Sequence, residues 1–127
     1  MEPLFNSLEY LFQIWPLTLL FIGVALGIVI GSIPGLTTTM LITLTLPLTF
    51  FMESVDAITL LIGMYVGGIS GSQIAATLLR MPGTPASIMT TFDGYPMSQQ
   101  GKSERALGLG ITASFVGGVV SWAFLAI

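Results

Sequence analysis

The sequence predicts an all-α membrane protein, several transmembrane helices with a broken or re-entrant helical segment among them. Three observations carry that expectation. Only 3 Lys+Arg and 6 Asp+Glu occur in 127 residues, 54% of the chain is hydrophobic, and mean hydropathy is +0.95, whereas a soluble domain has about 25% charged residues. No Asp, Glu, Lys or Arg lies between Glu9 and Glu53, which leaves room for two spans of about 20 residues each. The stretch from Gly63 to Ser87 is apolar overall yet dense in Gly, Ser, Thr and Pro. Irregular backbone is tolerated at membrane depth only where protein or a polar cavity surrounds it, so this stretch points to a substrate or ion site.

The same composition excludes several function classes. With no cysteine and no histidine, disulfide frameworks, thiolate metal sites, thiol catalysis and a neutral-pH imidazole proton carrier are out of reach. The net charge of −3 is spread too thinly to suggest nucleic acid. The full Gly-x-x-x-x-Gly-Lys-Ser/Thr phosphate loop is absent, since Pro96 stands where its first glycine would precede Gly101-Lys102-Ser103, and no histidine metal set occurs, so no enzyme is expected. Glu2 and Glu9 replace the basic start of a secretory signal, and the first span is expected to stay in the mature protein.

Residues 1–127 read as one transmembrane segment. The first span, about 14–33, ends at Ser32-Ile33-Pro34-Gly35, because Pro34 disfavours helix at Ile33 and Gly35 permits the backbone to turn. The second, about 37–52, is short and holds Pro47, which removes a helical hydrogen bond. A third, about 57–69, leads into a broken or re-entrant segment over 70–92. A polar connection over 93–105 follows, with a turn signal at Asp93-Gly94 and an N-cap at Ser103. The last span covers 106–127. Lys102 and Arg105 concentrate in the polar connection, which places it in the cytoplasm and the N-terminus outside. Trp15 suits an interfacial aromatic belt or a packed position between helices.

Glycine spacing marks the packing faces. Gly23, Gly27, Gly31 and Gly35 recur every four residues, Gly63, Gly67 and Gly71 repeat the pattern, and Gly110, Ser114 and Gly118 form a similar face. Backbones can approach closely along such faces. At Gly31 and Gly35 the alternative is exposure of backbone to a ligand.

Two places can carry chemistry. In Pro34-Gly35-Leu36-Thr37-Thr38-Thr39 a new helix begins inside an apolar run, and its free N–H groups and threonine hydroxyls can serve an anion. In Pro82-Gly83-Thr84-Pro85-Ala86-Ser87, Thr84 suits an N-cap and Pro85 the first helical position. The expected substrate contacts are Gly35, Thr37, Thr38, Arg80, Gly83, Thr84 and Ser87. Unwound carbonyls near Gly67 to Ser72 suit a cation, for which Gly71, Ser72 and Gln73 are the candidates. Arg80 can clamp a carboxylate, snorkel to a headgroup or neutralise a helix C-terminus. Gln73 is either a ligand or an interhelical hydrogen bond. Glu53 and Asp56 read as a solvated loop. Thr39 with Thr43 and Thr45 with Thr49 can line a polar path or bond back to their own helix.

These residues resemble the large membrane subunit (TctA type) of the tripartite tricarboxylate transporters. The resemblance rests on Gly31-Ser32-Ile33-Pro34-Gly35-Leu36, Leu46-Pro47-Leu48-Thr49-Phe50, Tyr65 with Gly67, and Leu78-Leu79-Arg80-Met81-Pro82-Gly83-Thr84-Pro85-Ala86. It continues through Asp93-Gly94-Tyr95-Pro96-Met97, Gly101-Lys102, Ala106-Leu107-Gly108 and Ser114-Phe115-Val116-Gly117-Gly118. It implies a multi-pass protein of the bacterial inner (cell) membrane, part of an inverted-repeat secondary transporter. Further implied are uptake of tricarboxylates or related carboxylates driven by a sodium ion or a proton, no other cofactor, and two partners. The partners are a small TctB-like membrane subunit and a periplasmic TctC-like solute-binding protein. The chain departs from the pattern at Ser72-Gln73-Ile74-Ala75, where a Gly-Ser-Ile-Thr run is expected, and at Arg80, where Asn is common. It matches about the first quarter of such a subunit and reads as a fragment. The alternative is a small self-associating membrane module, or a non-transporting fragment, packed through its glycine faces.

Overall fold

Two long helices running side by side in the same direction set the architecture. The structure is a computed structural model and describes residues 2–127. Its helices are α1 Glu2–Leu11, α2 Ile14–Gly31, α3 Thr38–Thr49, α4 Ser54–Leu79, α5 Thr90–Gln99 and α6 Ser103–Ala126, with one 3-10 turn at Pro85–Ser87. No strand occurs among the described residues. Three of the helices, α2, α4 and α6, are long and apolar enough to cross a membrane, and the protein is an all-α membrane protein.

Helices α2 and α4 meet through glycine. A Cβ placed on Gly23 would lie 2.6 Å from the Leu60 carbonyl oxygen, and one on Gly63 would lie 2.8 Å from that of Leu20. Gly27 abuts Gly67 and Gly68, and Gly71 abuts Ile28 and Ser32. Numbers rise together along both helices, so the pair is parallel. The buried residues of α2 are Pro16, Gly23, Gly27 and Gly31 alone, while Phe21, Ile22 and Val29 point outward. That is the packing expected where lipid solvates large apolar side chains and helices gain from backbone proximity.

Parallel α2 and α4 require the chain from Ser32 to Glu53 to return along the pair. Helix α3 supplies roughly 18 Å of that path at 1.5 Å per residue. It packs on α4 through the buried cluster of Leu41, Leu60 and Met64, and it carries Pro47 internally. At the far end Asp56, in the first turn of α4, is buried. It accepts hydrogen bonds from the Trp15 indole N–H at 3.0 Å and the Tyr10 hydroxyl at 3.3 Å. Asp56 is therefore a tie joining α1, α2 and α4, where the sequence suggests a solvated loop.

The largest departure concerns α4. It runs unbroken for 26 residues to Leu79, so the interruption expected over 70–92 begins ten residues later, at Arg80. Gly67 to Ser72 are helical and their carbonyls are engaged in the helix. Gly67 and Gly71 face α2 and Gly68 faces Thr38 of α3, and the close contact they allow outweighs their poor helix propensity. Arg80 ends α4 in the left-handed conformation, φ +57, with its N–H donated to the Ala75 carbonyl. The chain then folds back along α4: Gly83 abuts Ser72, and Gly94 abuts Thr77.

Asp93-Gly94 lies inside α5 and makes no turn. Burial of Gly94 against Thr77 holds that helix onto α4, and Asp93 in its first turn suits the positive end of the dipole. The turn occurs instead at Gly101, φ +75. Ser103 is the first residue of α6, and the cap position is Lys102, one residue earlier than expected. Gln73 reaches toward Gly110 of α6, which also packs on α5 but has no buried residue.

Candidate functional site

The two Pro-Gly interruptions, far apart in sequence, meet in space. A Cβ built at Gly83 would lie 3.6 Å from the carbonyl oxygens of both Gly31 and Leu36, and 3.2 Å from Ser72 Cβ. Gly31 lies ~24 Å along α2 from Trp15, counted at 1.5 Å per residue, which falls within a hydrocarbon core of about 30 Å. Irregular backbone at this depth has to be enclosed by protein or line a polar space.

The first interruption has a positive φ of +90 at Gly35, a conformation other residues resist. Thr37 then caps α3, its hydroxyl accepting from the Met40 N–H at 3.2 Å. The N–H groups of Thr38 and Thr39 have no acceptor among the described residues. They form the open positive end of a twelve-residue helix. A hollow of about 280 Å³ lies beside that end, lined by Thr37, Thr39, Met40, Thr43 and Leu44. The Thr43 hydroxyl donates back to the Thr39 carbonyl at 2.8 Å, one of the two options open to that pair. The buried Thr38 hydroxyl packs against Gly68 and has no partner among the described residues.

The second interruption closes on itself. Thr84 is the extended residue before Pro85–Ser87. The Ser87 hydroxyl donates to the Thr84 carbonyl at 2.8 Å and accepts from the Thr84 N–H at 3.3 Å. The Ser72 hydroxyl donates to the Ile69 carbonyl at 2.8 Å and lies 3.1 Å from Thr84 Oγ1. Ser72 and Ser87 are each 1% exposed.

The candidate residues therefore sort into groups. Gly83, Thr84, Ser87 and Ser72 cluster, with the Gly31 and Leu36 carbonyls beside them. Thr37 and Thr38 form the neighbouring start of α3, with Gly35 at the turn. Arg80 stands apart, exposed, its guanidinium 5.6 Å from the centroid of the Tyr95 ring. Gly71, Ser72 and Gln73 diverge, toward α2, Thr84 and α6 respectively. They do not form one site. The Leu36 carbonyl was missed in the sequence, since a backbone oxygen carries no residue-type signal, whereas exposure of the Gly31 backbone was one of the two readings open at that glycine.

The chain matches the family described as "Tripartite tricarboxylate transporter TctA family" over residues 17–127. It is 37% identical over 107 residues to an uncharacterized 52.8 kDa protein of Agrobacterium vitis, described as lying in the TAR-I ttuC' 3' region. That match covers 84% of this chain and 21% of the relative, so the chain spans about a fifth of the relative's length. No solved structure matches.

Proposed function

The chain belongs to the tripartite tricarboxylate transporter TctA family, and from that premise we propose that it forms part of a membrane permease for secondary, cation-driven uptake of tricarboxylates or related carboxylates. The observation that carries this reading is the start of α3. Two unpaired backbone N–H groups, at Thr38 and Thr39, and a threonine-lined hollow sit inside an apolar segment. Half-helix N-termini at depth are how transporters hold anionic groups. A carboxylate gains both the oriented N–H donors and the positive end of the helix dipole.

In this reading Gly35, Thr37 and Thr38 hold one carboxylate. Gly83, Thr84 and Ser87 form the opposing wall, and Gly83 keeps that wall open. Arg80 is a helix terminator stacked on Tyr95 and takes no part in substrate contact. The coupling ion is sodium or a proton. The partners are a small TctB-like membrane subunit and a periplasmic TctC-like binding protein, in the bacterial inner membrane with the Lys102–Arg105 connection facing the cytoplasm. Parallel α2 and α4, with α3 returning between them, supports an odd number of passes before that connection.

The test is uptake of labelled citrate into liposomes holding the complete subunit and its partners, across an imposed sodium gradient. Gradient-dependent uptake is expected, and a Gly83→Leu, Thr84→Val double variant should lose at least nine-tenths of it, on the order of 1.4 kcal/mol or more. Equal uptake by the double variant removes the fold-back wall from the reading.

A further inference from the structure

We propose that the groove between α1 and the first turns of α4 binds a phospholipid with a primary-ammonium headgroup, as in phosphatidylethanolamine, its acyl chain on α4 and its ammonium at the carboxylates where α4 begins. The site goes beyond the transport reading and does not rest on it, and α1 lies outside residues 17–127 that match the family.

The groove follows from how α1 is attached. Helix α1 reaches α4 through the Tyr10 hydroxyl, which donates to Asp56 at 3.3 Å. Beyond that contact a hollow of about 460 Å³ separates the two helices, lined by Asn6, Ser7 and Tyr10 on one side and by Val55, Ile58, Thr59 and Ile62 on the other. Val55, Ile58 and Ile62 are exposed, on a helix long and apolar enough to cross a membrane. Their wall is therefore continuous with the surface that lipid solvates. The facing wall is polar. The Ser7 and Thr59 hydroxyls are spent on their own helices, donating to the Pro3 and Val55 carbonyls at 2.8 Å each, while the exposed Asn6 amide can still meet an ester or phosphate oxygen. An apolar wall facing a polar one suits an amphiphile.

Charge selects the headgroup. Glu53, exposed and immediately before α4, makes no capping bond with its side chain. Asp56 lies one turn on and is held by two neutral donors, Trp15 and Tyr10. The Tyr10 hydroxyl is pushed above 10.0 by desolvation first and then by Asp56 and Glu53, which places both carboxylates beside a residue that lines the groove. Glu2 and Glu9 add acidic groups on α1, and no lysine or arginine precedes Arg80, which ends α4 about 40 Å away at 1.5 Å per residue. Such surroundings repel an anionic headgroup and attract a cationic one. A primary ammonium brings three N–H donors to carboxylate oxygens, and a quaternary ammonium brings none. Ethanolamine is therefore favoured over both glycerol and choline heads.

The test is native mass spectrometry of the purified protein released from nanodiscs that hold equal parts of phosphatidylethanolamine, phosphatidylcholine and phosphatidylglycerol with matched acyl chains. Phosphatidylethanolamine is expected to stay bound, retained at least fivefold over each of the others. Ile58→Trp, which fills the groove from an exposed position, should lower that retention tenfold or more. Glu53→Gln should erase the preference for ethanolamine over choline heads, and Val120→Trp, exposed on α6, should change neither. Circular dichroism and gel filtration identify folded variants, and Glu53→Gln keeps the test decisive if Ile58→Trp does not fold. Equal retention of the three lipids, a preference for either of the other two, or unchanged selective retention in folded Ile58→Trp or Glu53→Gln protein would overturn the site. Because no transport is measured, a failure of citrate uptake leaves this result standing, and the reverse also holds.

Discussion

The two Pro-Gly interruptions are written in nearly the same residues, yet one stays open while the other closes on itself. After Pro34-Gly35 the chain starts a twelve-residue helix, and its first N–H groups stay free because a single side chain, Thr37, satisfies only the Met40 donor. After Pro82-Gly83 it makes only one 3-10 turn, and the hydroxyls of Thr84 and Ser87 satisfy that turn themselves. A hydroxyl-rich turn is thus not automatically an anion site. What decides is how many donors remain once local bonds are made, and whether a helix long enough to carry a dipole follows.

The most damaging way to break the comparison is to separate the interruptions. Gly67→Val puts a side chain where the Val24 backbone already sits, with Val24 Cα 2.9 Å from the Cβ position. Backbone cannot yield as a flexible side chain does, so a loss of about 3 kcal/mol or more is expected, read as a lowered unfolding midpoint in detergent. Next, Ser87→Ala leaves the Thr84 N–H without its acceptor and the Thr84 carbonyl with only the Ser87 N–H, at 3.1 Å, and should cost about 2 kcal/mol. Thr37→Val removes a cap near an open end and should cost about 1 kcal/mol. If denaturation ranks these two the other way, the second interruption is not the closed one.

Arg80→Gly sharpens the role of the helix end. It relieves a left-handed non-glycine residue, by about 1 kcal/mol, and loses a cation–π contact of about 0.5 kcal/mol. A slightly more stable protein with unchanged citrate uptake is expected, whereas a carboxylate clamp would lose uptake. The smallest effect lies at the opposite end of α4. The Tyr10 hydroxyl is pushed above 10.0, by desolvation first and then by the Asp56 carboxylate. A raised pKa means the folded state holds the proton more tightly, so this tie is intact below pH 10 and is lost as pH rises through the folded value. Asp56→Asn should lower the Tyr10 titration midpoint in a spectrophotometric titration, and no change would place Tyr10 away from that carboxylate.

The membrane class, the end of the first span at Ser32-Ile33-Pro34-Gly35 and the start of a new helix just after it are local matters, and composition, proline and glycine chemistry made them legible. The continuity of α4 was not, because Gly67, Gly68 and Gly71 look like unwinding until the glycine face of α2 is placed against them. Asp56 looked solvated because the donors that bury it come from Tyr10 and Trp15, some forty residues earlier in the chain. The site was half legible: the Pro-Gly pairs and their hydroxyls could be named, but their meeting at Gly83 and the free carbonyls of Gly31 and Leu36 depend on tertiary contact. Arg80 is a physical surprise of a simpler kind. The resemblance leads to Asn there, and Asn tolerates the left-handed conformation that position adopts.

The fold-back that joins the interruptions can be tested directly, because the chain has no cysteine. In a Ser72→Cys, Gly83→Cys double variant the Cβ atoms would be about 3.2 Å apart, slightly inside the usual disulfide range of about 3.5 to 4.5 Å and reachable by a small adjustment. Treatment in the membrane with a permeable oxidant, followed by cleavage between the two positions and non-reducing electrophoresis, should leave the fragments joined. Were the chain to continue outward from Leu79, the two positions would be on the order of 15 Å apart at 1.5 Å per residue, and the fragments would separate with both thiols free.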